Sequence, residues 1–194
     1  MKHTFTHPQS RAPWFVILAI LALTTVQLRR QGRVWWCACG RSNLWAGDIH
    51  SPHNSQHLLD PYSFTHVLHG LPMYGLGVWL FPRLTWQWRL ALALVAESLW
   101  EVAENSETVM RRYRQATIAQ GYEGDSVANS IGDVACCAIG VELARRLGFC
   151  RSLAMFVGTE LVLIASIKDS FLLNVVMLIH PIDAIKRWQT DQHT

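Results

Sequence analysis

Five apolar stretches, each near the roughly 20 residues that a helix needs to cross a ~30 Å hydrocarbon core, leave this chain few folds. They are PWFVILAILALTTVQL (13–28), YSFTHVLHGLPMYGLGVWLF (62–81), WRLALALVAESLWEVAEN (88–105), VANSIGDVACCAIGVELA (127–144) and SLAMFVGTELVLIASI (152–167). Backbone polar groups in lipid are satisfied only in helices or closed barrels, and no strand-like alternation supports a barrel. The expectation is an all-α integral membrane protein with five transmembrane helices in one domain, 1–194. Lys2 and Arg11 precede the first stretch and Arg29, Arg30 and Arg33 follow it, with no small-residue cleavage site, so it reads as a retained span. After Lys168 and Asp169, SFLLNVVMLI is too short to cross and ends before Pro181, which suggests an interfacial or re-entrant segment.

Composition agrees. Hydrophobic residues make up 51% and charged residues only 16%, against about a quarter in average chains. Trp14, Trp79, Trp86, Trp88 and Trp188 fall near span ends, as in an interfacial aromatic belt. A net charge of +3, with basic residues in short flanking runs, argues against nucleic-acid binding. Seven of the 17 Lys and Arg residues fall on the side of the N-terminus and the remainder on the other, called side B; this leans side B towards the cytoplasm without fixing orientation. Five cysteines, with Cys136 and Cys137 inside an apolar run, give no disulfide framework and read as free buried thiols.

Against this background the polar residues of the spans stand out. At 100° per residue, Tyr62, His66, His69 and Met73 share one stripe of the second span. Glu97, Glu101 and Glu104 lie within about 60° of arc on the third, with Asn105 beside them. Asp125, Asn129 and Asp133 recur at intervals of four residues at the start of the fourth, flanked by Ser126 and Ser130. The alternating direction of the spans places all three stripes towards side B. An ionised group at the bilayer centre costs about 2.5–3.5 kcal/mol on the insertion scale. Carboxylates gathered there call for a bound cation, protonation, or pairing with His66 and His69. Taken singly, Asn129, Ser126 and Ser130 suit interhelical hydrogen bonding, and Glu160 stands alone in the fifth span.

The pattern implies a water-accessible polar site. His66, His69, Glu101, Glu104 and Asp133 are the expected ligands of a divalent metal (Zn, Mn or Fe), with Glu97 or Asp125 as general base. The expected substrate is a lipid or lipid-linked anion, contacted by Asn105 and Asn129 and clamped by Arg111, Arg112 and Arg114. Two other functions use the same residues. One is a proton- or cation-coupled transporter, which lacks a visible internal repeat but could gain symmetry as a homo-oligomer. The other is a non-catalytic assembly protein whose stripes bind partner helices.

The polar loop 29–61 holds WWCACG and HSPHNSQH, with His50, His53 and His57 near His66 and His69. Three readings stand for it: a loop that folds over the cavity and lends one histidine, a zinc site of Cys37 and Cys39 with loop histidines, or solvated polar loop residues.

The blocks HNSQHLLDPYSFTHVLHG, EVAENSE, GYEGDSVANSIGD and NVVMLIHPIDAIKRWQ resemble a small family of uncharacterised bacterial multi-pass inner-membrane proteins of about this length. The resemblance runs from about Gly32 to Gln189. It implies an integral protein of the bacterial inner membrane, surrounded by membrane lipids, and carries no catalytic residues with it. The layout of polar spans, with an Asp/Asn-containing span after a basic loop, is loosely similar to VanZ-like membrane proteins.

Overall fold

A computed structural model describes residues 11–41 and 43–190; Lys2, in the flank of the first stretch, lies outside them. Among the described residues the chain is all-helical: α1 (Ala12–Arg30), α2 (Ser63–Leu80), α3 (Trp86–Glu104), α4 (Glu107–Ala116), α5 (Val127–Leu147), α6 (Phe149–Ile167), α7 (Phe171–Ile179) and α8 (Asp183–Thr190). The five apolar stretches form α1, α2, α3, α5 and α6. Three of these, α1, α5 and α6, are long and apolar enough to cross a membrane. The segment after Asp169 forms the nine-residue α7.

Local chemistry explains the boundaries. Pro13 sits in the first turn of α1, where its missing N–H is not needed. Ser106, Ser126 and Ser170 cap α4, α5 and α7, each accepting a backbone N–H three residues on. The amphipathic α4 was not expected in what reads as a basic loop; its Ser106 cap with Glu107 in the first turn is the signal that marks it.

The most extensive helix pairing is between α2 and α5, followed by that of α1 with α3. Glycines allow the first. A Cβ on Gly70 would collide with the backbone of Cys137 and Val141, and one on Gly140 with the carbonyl of Val67. Such small residues let the two helix backbones approach closely and pack directly against each other. Cys137 and Val141 complete this core with Leu90, Ala91 and Leu94, so Cys137 serves there as a small apolar filler.

Gly70→Val therefore forces α2 from α5, because the obstructing atoms are backbone and cannot move aside. Overpacking costs about 1–3 kcal/mol or more, so the melting temperature is expected roughly 2–10 °C lower. Gly158→Ala, inside α6 where a Cβ meets nothing within 4 Å, is expected not to lower melting and to raise it slightly through the better helix propensity of Ala.

Candidate functional site

The α2–α5 contact sets the depth at which their polar stripes meet, and α3 closes the triangle. His66 Nδ1 lies 2.5 Å from Glu97 Oε1 and 3.4 Å from Glu101 Oε1, and its Nε2 lies 3.8 Å from Asp133 Oδ2. His69 Nδ1 is 2.9 Å from Glu97 Oε2. One imidazole thus touches carboxylates from two other helices, and one carboxylate is shared by two imidazoles. Glu97 and Glu101 have no exposed surface (0% each). Glu97 has its two histidines as partners, whereas neither carboxylate oxygen of Glu101 has a hydrogen-bond partner.

Two overlapping sets, His66/His69/Glu97 and His66/Glu101/Glu104, each bring one ligand atom per residue within 4.8 Å of one another. The donor types fit a borderline divalent ion. Glu97, expected as a base, falls within the first of these candidate sets, and Glu101, buried with neither oxygen hydrogen-bonded, is the group that most needs a positive charge or a proton beside it.

These residues form the polar end of a cavity of about 860 Å³. His66, His69, Glu97, Glu104, Asp125 and Asp133 line it, and Glu101 lies just behind them. The remaining walls are largely apolar and run along α2 to Leu76 and Trp79, facing Phe149, Leu153 and Phe156 of the α6 side. Tyr62 to Trp79 covers 17 residues of rise, about 25 Å of helix. The result is a long apolar slot with acids and imidazoles at one end.

Loop residues complete that end. Asp60 Oδ1 accepts the backbone N–H groups of Tyr62 (2.8 Å) and Ser63 (3.2 Å), and Oδ2 accepts that of Ser55 (2.9 Å) and the amide of Asn129 (3.4 Å). Ser63 Oγ accepts the Asp60 N–H and donates to Asp133 (2.9 Å). Burial pushes the Asp60 carboxyl up and the three N–H donors oppose this. The stripe analysis missed Asp60 and Ser63, although an Asp before Pro at a helix start is a recognisable capping signal.

The loop lends the cavity Asn54, Ser55 and Asp60, and none of its histidines. The expected contribution of a histidine is corrected on this point: His53 and His57 face Cys37 and Cys39 (3.3 and 3.8 Å), and His50 is exposed.

Asp125 receives hydrogen bonds from Asn105 (2.8 Å) and the Tyr122 hydroxyl (2.9 Å). Burial raises its carboxyl, with Tyr122 and Asn105 opposing. Asn105 stands behind Asp125, off the cavity surface, while Asn129 lines it. The three arginines lie off that surface too. Arg112 binds the carbonyls of Leu178 (2.8 Å) and Ile179 (3.2 Å) at the end of α7, and Arg114 binds Tyr122 O (2.8 Å) and Glu107 (3.0 Å). Arg111 is exposed.

The C-terminal tail forms the last wall. Phe171 packs edge-on against His69 at 4.7 Å between centroids. Asp169 accepts from Tyr62 OH (3.1 Å), Ser170 N (2.9 Å), Asn174 (3.2 Å) and Gln189 (3.2 Å). Glu160 turns to the same junction, accepting from Ser170 Oγ (2.9 Å) and Leu172 N (3.2 Å); it holds the tail and is not part of the His66 cluster.

Burial raises the Asp169 carboxyl from 3.8 to about 6, against its four donors. A carboxyl raised on folding stabilises the docked tail fully below its unfolded value and loses that contribution as pH rises through the folded one. Amide protection over α7 and α8, measured relative to the intrinsic exchange rate at each pH, is therefore expected to fall from about pH 4 to about pH 7. In Asp169→Asn that pH response should flatten.

Residues 28–191 match the family described as "Protein of unknown function (DUF2585)". The chain is 43% identical over 183 residues to a UPF0314 protein of Rhizobium meliloti, covering 93% of each chain. It is 41% identical to a UPF0314 protein of Paracoccus denitrificans, over 92% of each chain. Identity to a UPF0314 protein of Sphingopyxis alaskensis is also 41%, over 93% of this chain and 96% of the relative. No solved structure matches. The apolar slot with its His/Glu end is thus carried by a member of the DUF2585 (UPF0314) family of bacterial proteins, to which this chain belongs.

Proposed function

We propose that this is a five-span protein of the bacterial inner membrane, an enzyme that uses a divalent metal on a lipid or lipid-linked anionic substrate. The observation that carries this reading is the fully buried Glu101, with neither oxygen hydrogen-bonded and His66 Nδ1 at 3.4 Å, at the acidic end of an apolar slot. An acid in that position is tolerable only with a cation or a proton beside it. The membrane reading is supported by the large apolar side chains left exposed along the helices, among them Phe15, Leu18, Trp79, Leu161 and Val162, an outer surface suited to lipid tails.

In this reading the ion would be held through His66, the residue common to both sets, with His69 and Glu97 on one side or Glu101 and Glu104 on the other, and with Asp133 bearing on the far nitrogen of His66. Bound there, the ion supplies Lewis acidity towards a phosphate oxygen or water. The chain's own residues do the rest. Glu97 fixes the orientation of both imidazoles. Asp125, held by Asn105 and Tyr122 on the cavity wall, is the carboxylate placed to take a proton. The apolar walls bind an acyl or prenyl chain and exclude water, and Asn129 and Asp60 shape the polar end around a headgroup.

The test is headgroup or phosphate release by the full chain in vesicles of polar lipids with a polyprenyl phosphate. Conversion that requires Zn, Mn or Fe and stops with a chelator is the expected result; metal-independent turnover, or none across the lipid classes, would contradict it. The line Glu97–His66–Asp133 also favours a second reading, a proton-coupled transporter. A pH-driven flux without lipid conversion, abolished in Glu101→Gln, would establish that reading instead.

A further inference from the structure

Among the described residues of the loop between α1 and α2, 31–62, there is no helix and no strand apart from one isolated bridge, Trp45 to Leu59. Loops beyond about 12–15 residues without secondary structure are uncommon in compact domains, and a metal is one means of ordering them. This one holds four potential ligands in one place: Cys37, Cys39, His53 and His57 bring one ligand atom each within 4.8 Å of one another. Cys37 Sγ is 3.3 Å from His53 Nδ1, and Cys39 Sγ is 3.8 Å from His57 Nε2.

Those separations have a specific meaning. With Zn–S about 2.3 Å and Zn–N about 2.0–2.1 Å, ligand atoms at the corners of a tetrahedron lie roughly 3.3–3.8 Å apart. Thiol–imidazole hydrogen bonding alone would explain one such pair. It does not explain two pairs drawn together from segments 16 and 18 residues apart in sequence. Moreover, His57 is only 3% exposed and its Nδ1 has no hydrogen-bond partner, so the one polar contact of its ring is the Nε2 approach to Cys39. Trp36 packs edge-on against the His57 ring at 5.9 Å and donates to Arg41 O (2.9 Å), closing the turn that carries both cysteines. Gly40, at φ +70°, allows that turn.

We infer that Cys37, Cys39, His53 and His57 form a structural zinc site, separate from the His66 cavity. Four protein ligands leave no open position, as structural zinc requires. Its place in the fold says what it holds. Just before Cys37, the carbonyls of Val34 and Trp35 accept the first N–H groups of α5, from Val127 (2.8 Å) and Ala128 (3.2 Å). Beyond His53, Ser55 O accepts Ser126 N (2.9 Å) and Gln56 O accepts Ser126 Oγ (3.0 Å). The ion would tie together the two arms that cap α5, one of which presents Ser55 to Asp60 at the cavity rim. The inference stands whether or not the cavity is catalytic.

Zinc-edge X-ray absorption of the full chain, purified without chelator, decides it. The expected spectrum, taken on His66→Ala as well as on the wild type so that zinc in the cavity does not dilute it, has a sulfur shell of two atoms near ~2.3 Å for the loop ion, together with nitrogen ligands. Cobalt substitution should give thiolate-to-metal charge-transfer absorption. Cys39→Ser should lose one zinc equivalent per chain, and His66→Ala should keep the sulfur-ligated zinc. Because the wild-type spectrum is diagnostic by itself, a variant that fails to fold leaves the test intact. Zinc with only nitrogen and oxygen neighbours, zinc stripped within seconds by a weak chelator, or a Cys37–Cys39 disulfide in the purified protein would each overturn the assignment.

Discussion

His66→Ala is expected to abolish binding of the cavity ion, with the largest effect of any single substitution. His66 is common to both sets of candidate ligands and makes the contacts that join α2 to α3 and α5. Loss of an outer partner of a metal ligand costs about 10–100-fold in affinity, and loss of a shared ligand should exceed that range. Isothermal titration of the chelator-treated chain with Mn²⁺ or Zn²⁺ checks it. His50→Ala, in an exposed part of the loop, should bind as wild type does. Equal loss in both variants would mean that the measured ion sits elsewhere.

Glu101→Leu is expected to split by condition. In the metal-free protein Glu101 is a buried carboxyl without a hydrogen-bond partner, a state that costs about 1–3 kcal/mol. An apolar side chain of similar length removes that cost, so the metal-free variant should be more stable than the metal-free wild type by about that amount. In the presence of metal the order should reverse, since the wild type gains stability from an ion that binds the folded state and the variant does not. Denaturant melts in mild detergent, with and without chelator, read both arms. A variant less stable than wild type under both conditions would show that Glu101 is held by contacts within the protein.

The sequence carried much of this design because period and direction are local properties. The spacing of His66 and His69 on α2, of Glu97 and Glu101 on α3, and of Asp133 on α5 places them on inward faces, and helix direction brings those faces to one depth. The structure accordingly puts His66 against Glu97, Glu101 and Asp133. What periodicity could not carry was anything set by irregular backbone. Asp60 acquires its role from donors at Ser55, Tyr62, Ser63 and Asn129, the last 69 residues away. Asp169 depends likewise on Tyr62 and Gln189. The meeting of Cys37 with His53 runs through successive turns at Asp48, Ser51 and His53, which no repeat in the sequence announces. The arginines show the converse limit. A basic run after an acidic stripe suggests an anion clamp, but the chain spends Arg112 and Arg114 on backbone carbonyls of α7 and of the loop before α5, which are satisfied there by charge-assisted bonds.

The account rests on the ion at the acidic end of the slot, and anomalous diffraction at the manganese edge from crystals of the full chain grown with Mn²⁺ tests it most directly. The predicted result is a peak among His66, Glu97 and Glu101, with Glu101 oxygens as ligands. A map with no peak there, and with Glu101 hydrogen-bonded as a neutral acid, would contradict it.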